Sequence, residues 1–153
     1  MKDRSSAKQA VHAACVSALQ ERIGQAQAGM EQAREAGTAD TKSSAGDKHE
    51  TARAMAQLEM EKQAVALGNL LEMHHTVIRL DPLQRCTVIK PGALVTTDQG
   101  TYYISTAAGK LEVEGTTVMA ISMQAPIVEF LKGIAPAGSG KFNGRTVRLL
   151  SVA

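Results

Sequence analysis

The sequence predicts an α+β protein: an antiparallel helical hairpin over residues 1–80 with its tip near 37–50, then a small antiparallel β domain with one short helix over 81–153. Three observations predict it. Two proline-free stretches carry apolar residues at helical spacing. The pair Asp81-Pro82 ends the second stretch. Beyond it, short runs rich in β-branched residues alternate with glycine.

The first helix is read from Ser6 to Ala36, a span rich in Ala, Gln, Glu and Arg, with only Gly24 and Gly29 as poor helix formers. Its apolar stripe is Val11, Cys15, Leu19, Ile23, Ala26, Met30 and Ala33, spaced by threes and fours like the seam of a helix lying along another helix. The far end of that stripe is Ala-rich. It permits close approach but offers little apolar burial, so this helix depends on a partner. From Gly37 to Gly46 the chain reads as a turn or loop, being a cluster of turn formers with no apolar period. A second helix then runs from Asp47 to Arg79, with apolar positions Ala52, Met55, Ala56, Met60, Leu67, Leu70, Leu71, His74 and Ile78. Met55, Met60 and Met73 read as seam filler. Arms of about 30 residues span roughly 45 Å, which puts the loop at the end of a probe.

In the C-terminal region, strand-type runs fall at Cys86–Ile89, Ala93–Thr97, Tyr102–Ser105, Lys110–Val113, Thr117–Ser122 and Arg145–Val152. Pro126 to Lys132 suits a short helix, with proline in the first turn and Gly133 just past the end. Gly138-Ser139-Gly140-Lys141 approximates a phosphate-binding loop. However, Ala135 stands where that motif starts with glycine and Phe142 where it needs Ser or Thr, so the stretch reads as a turn.

Composition narrows the function classes. Hydrophobic residues at 44% and charged residues at 21% suit a globular chain, and no run approaches the roughly 20 apolar residues of a membrane helix. Aromatic content of 3% with no Trp speaks against base-stacking platforms and aromatic ligand pockets. The net charge is +2 and neither half is a polycation, so any nucleic-acid contact is expected through a partner. Cys15 and Cys86 form neither a CxxC pair nor a larger cluster, which fits a reducing cytoplasm better than a disulfide or zinc framework. Lys2 and Arg4 precede a mildly apolar stretch, but the helical pattern runs on past Gln20, unlike a signal peptide.

The local feature most open to chemistry is Gly46-Asp47-Lys48-His49-Glu50, where two carboxylates three residues apart share a helix face. Such a pair can hold one divalent ion. It can equally be a capping box, with Asp47 as N-cap and Glu50 at the third helical position. The two roles can coexist. His49 is not part of an HExxH motif, and the adjacent His74 and His75 point about 100° apart, so one is read as seam-facing and the other as solvated. No GxSxG occurs, and no self-contained active site can be assembled.

With hairpin, tip acids and β domain in this order, the chain resembles the Gre family of bacterial transcript-cleavage factors, in particular a short Gre-like subgroup. That family has the tip pattern Gly-Asp-x-x-Glu-Asn-Ala-Glu-Tyr, and the stretch here is Gly46-Asp47-Lys48-His49-Glu50-Thr51-Ala52-Arg53-Ala54. Gly92-Ala93-Leu94-Val95 is similar to a family strand, and Ile121-Ser122 followed by Ala125-Pro126-Ile127, Leu131 and Gly133 to a later segment. The resemblance implies an FKBP-like C-terminal domain that docks at the secondary channel of RNA polymerase while the hairpin reaches toward the active centre. Asp47 and Glu50 would there help hold a second Mg²⁺, shared with the polymerase, for hydrolysis of backtracked RNA. The resemblance implies further contacts through Lys48, Arg53, Pro126 and Ile127, indirect contact with the RNA 3′ end, no small-molecule substrate, no membrane and no cofactor in isolation. The polymerase remains the enzyme. Thr51, Arg53 and Ala54 depart from the family's Asn, Glu and Tyr, and Arg53 sets a base where the family has an acid. Two alternatives remain open: a non-cleaving occupant of the same channel, and a hairpin adaptor unrelated to polymerase. Prolyl isomerisation is not expected, because the only aromatics of the domain are Tyr102, Tyr103, Phe130 and Phe142.

Overall fold

The computed structural model describes residues 4–43, 47–135 and 137–153, with side chains described outside 38–49. Two long helices, α1 (Arg4–Ser43) and α2 (Asp47–Ile78), precede strands β1 (Leu94–Thr97), β2 (Gly100–Ile104), β3 (Gly109–Val113) and β4 (Thr116–Ile121), helix α3 (Pro126–Lys132), and strands β5 (Ser139–Phe142) and β6 (Arg145–Val152). This is the α+β class expected. The chain divides into two compact units, Leu19–Glu72 and Met1–Ala18 with Met73–Ala153.

In the unit Leu19–Glu72 the helices run antiparallel, since Gly29 meets Gln63 while Gly37 meets Ala56. The α1 stripe is largely as expected, with Leu19, Ala26 and Ala33 buried and Ile23 and Met30 half-buried. Two expectations need correction. The loop expected from Gly37 is helical through Ser43, and only 44–46 lie outside the described residues. Gly37 is where the helices touch: a Cβ there would lie 2.9 Å from the Ala56 Cβ. The residue that reads as a turn former is therefore selected for close packing within a helix. On α2, Met55 and Leu71 are exposed while Ala56, Met60, Gln63, Leu67 and Leu70 are half-buried. One polar seam position, Gln63, hid the true phase from an apolar count, while His74, counted on the seam, is half-buried there.

In the other unit the six strands form one sheet in the order β3-β4-β2-β1-β6-β5. It is antiparallel except that β2 and β4 pair parallel, because β4 inserts between β2 and the edge strand β3. One face buries Ala93, Val95, Ile104, Val147 and Leu149 against Val128 and Leu131 of α3 and against Cys86. Pro126 opens α3 and Gly133 closes it, as the sequence indicates. On the opposite face the register neighbours Leu94, Tyr103 and Ala120 are buried, continued by Val118 and Leu111. Val77 of α2 is fully buried and Ile78 is half exposed, one residue out of step with the expectation.

Cys86–Ile89 is not a strand. Both sides of β1 are already paired, to β2 and β6, so this segment fills the core with Cys86 and Ile89 without joining a ladder. Conversely, the glycine-rich stretch after Ala137 is strand β5 rather than a turn. A Cβ on Gly140 would sit 3.0 Å from the Phe130 ring, which also stacks on Phe142 at 5.3 Å. Packing against an aromatic ring accounts for that glycine, so it has no need of a phosphate. Asn143-Gly144, both at positive φ, makes the β5–β6 turn.

Candidate functional site

The acids proposed from sequence stand at the start of α2, one helical turn from each other. Glu50 is exposed, and so is Arg53. The side chains of Asp47, Lys48 and His49, and with them the capping-box reading, lie outside the described residues. Arg53 borders a shallow cavity of about 220 Å³ with Arg34, Gly37, Gln57 and Met60. Arg34 is held to Glu31 one turn away by a hydrogen-bonded ion pair; Glu31 sits below the usual carboxylate range, chiefly through that hydrogen bond. Pro126 is exposed at the first position of α3, and Ile127 packs against the sheet core. Among the described residues no three His, Cys, Asp or Glu side chains gather as a metal site. Two oxygen donors on one helix turn suit a Mg²⁺ that keeps most of its waters and takes its other ligands elsewhere.

A second constellation, which sequence reasoning missed, lies in the unit containing the sheet. Lys8, His12 and Cys15 recur at i, i+4 and i+7 on α1. Lys8 is 2% exposed. Its ammonium donates to the Gln84 carbonyl at 2.7 Å and the Ala153 carbonyl at 3.2 Å, and contacts the Cys86 sulfur at 3.5 Å. A buried cation so fully coordinated ties α1 to the segment after α2 and to the strand end after β6. His12 Nδ1 lies 2.7 Å from the Tyr103 hydroxyl, ring edge toward ring face. Burial pushes the Tyr103 phenol well above its ordinary value, with the nearby Cys15 and Cys86 adding to the shift. Burial also lowers His12, and the Asp81 carboxylate opposes this only in part. Both groups are thereby held in their neutral forms, and the imidazole tautomer sets which of them donates. A cavity of about 340 Å³ opens beside this cluster, lined by Arg4, Lys8, Gln84, Arg85 and Cys86 among others. The sequence signal was present: Lys8 falls three residues before Val11 on the stripe that carries Cys15 and Leu19. A charge at a seam position breaks the apolar pattern, so an apolar count starts the stripe at Val11.

The architecture defines an α+β protein with an antiparallel helix pair and a mixed six-stranded sheet. No family model, curated protein or solved structure matches the chain. No helix among the described residues is long and apolar enough to cross a membrane.

Proposed function

We propose that the chain is a cytoplasmic, Gre-like RNA polymerase-binding factor whose helix pair delivers Asp47 and Glu50 to the polymerase active centre and assists cleavage of backtracked RNA. The observation that carries this reading is the antiparallel pairing of two long helices with Asp47-x-x-Glu50 at the start of the second, ahead of the β strands in sequence. Capping accounts for acids in a first helical turn, but it does not call for helices of 40 and 32 residues. A Mg²⁺ held jointly with the polymerase would stabilise charge on the attacking and leaving oxygens. The chain's own part would be to present the carboxylates of residues 47 and 50, of which Glu50 is exposed to solvent.

A second reading, channel occupancy without cleavage, is favoured by Arg53. It is exposed three residues beyond Glu50, where a base disfavours a cation and suits RNA phosphate. RNA 3′-end cleavage in a stalled, backtracked complex decides between them, comparing the wild type with Asp47→Asn/Glu50→Gln at fixed Mg²⁺. Acceleration by the wild type, lost in a variant that still binds, is the expected result. Binding by both without acceleration supports the occupant reading, and absence of binding by either leaves a hairpin adaptor acting elsewhere.

A further inference from the structure

We propose that Lys8 and Cys86 form a peroxide-responsive modification site, at which oxidation of the Cys86 sulfur is captured by the Lys8 amine as a sulfur–nitrogen link. Three observations carry it, and none depends on the polymerase reading. The lysine nitrogen and cysteine sulfur are 3.5 Å apart although 78 residues separate them in sequence. Both groups are almost wholly removed from bulk water, at 2% and 5% exposure, so a captured intermediate is shielded from competing thiols. The 340 Å³ cavity lined by both residues is ample for hydrogen peroxide while Cys15, fully buried, does not border it.

The chemistry closes in two steps. The sulfur attacks one peroxide oxygen and the O–O bond breaks, so Cys86–SH and hydrogen peroxide give Cys86–SOH and water. Lys8 releases one proton to water in the cavity, and the amine lone pair attacks the sulfenic sulfur. The S–O bond breaks and the hydroxyl leaves as water with a second nitrogen proton. The product is Lys8–NH–S–Cys86, two hydrogens lighter than the reduced pair, with peroxide as the only oxidant. Because the bond joins α1 to the segment after α2, the modification makes covalent a contact that in the reduced chain includes the Lys8 hydrogen bonds.

The test is to expose the folded full chain to hydrogen peroxide, quench it, digest it without reductant and map linked peptides by mass spectrometry. A Lys8–Cys86 peptide pair lighter by two hydrogens than the sum of its parts, and separated again by a thiol reductant, is expected. In Lys8→Met, Cys86 sulfenic acid should instead persist long enough for a dimedone adduct. The wild-type map stands alone should that variant fold poorly. Cys86 recovered unmodified, carried on to sulfinic acid with Lys8 free, or joined to Cys15 overturns the proposal.

Discussion

The Tyr103 phenol and His12 imidazole make one hydrogen bond in a place that solvent only partly reaches, and protonation of the imidazole would leave a charge there short of water. Because burial depresses His12 in the native state, the native chain resists a proton that the unfolded chain accepts below about pH 6.5. Above that pH both states hold His12 neutral and its contribution to stability is fully present. As pH falls below it, the unfolded state gains protons first and stability declines until the native value is passed. Urea unfolding across this range should therefore show a loss on acidification that His12→Gln abolishes, since glutamine can still hydrogen-bond to Tyr103 but does not titrate. An identical acid slope in wild type and variant would show that other groups govern it. Neither partner was legible as a site in the sequence, because His12 and Tyr103 are 91 residues apart and only the packing of α1 against β2 brings them together. The acid pair at 47 and 50 could be proposed from sequence because its spacing is local.

Glycines on the helices separate propensity from packing. A Cβ at Gly24 meets nothing within 4 Å, so Gly24→Ala should stabilise α1 by about 1 kcal/mol through propensity alone. At Gly37 the same change drives a methyl to 2.9 Å from the Ala56 Cβ, and two backbones must move apart to admit it. Thermal unfolding followed by circular dichroism should rise in midpoint for Gly24→Ala and stay level or fall for Gly37→Ala. A rise at both would show that α1 and α2 do not pack closely at Gly37. The contrast also explains which elements sequence could supply. Strands β1 to β4, β6 and helix α3 were readable because their patterns are local and their ends carry glycine or proline. The end of α1 was not, since a turn-forming glycine and a packing glycine look alike. Strand β5 was missed because its glycines serve the Phe130 ring, though the Asn143-Gly144 turn pointed to it.

The two compact units have unequal means of holding themselves together. The sheet unit centres on Val95, Ile104, Val128, Leu131 and other large side chains at or near zero exposure. Among the described residues of the unit Leu19–Glu72 the buried apolar ones are Leu19, Ala26 and Ala33, and none of α2 from 50 to 72 is buried. An alanine methyl contributes on the order of 0.8 kcal/mol when buried, while each ordered residue costs about 1–2 kcal/mol of backbone entropy. Intrahelical hydrogen bonds and exposed pairs such as Glu31–Arg34 carry a larger share here, and these open locally rather than globally. Amides of residues 26–36 and 53–63 should accordingly exchange with deuterium through openings at least about 1.4 kcal/mol cheaper, roughly tenfold faster, than those of β1, β2 and β6. Native-state exchange followed by mass spectrometry or NMR measures this directly. Exchange of both units through a single global opening would mean that the thin seam is as cooperative as the sheet core. If the difference is found, the helix pair is the part of the chain that a binding partner can order at least cost, because its local stability is low and its backbone is already helical.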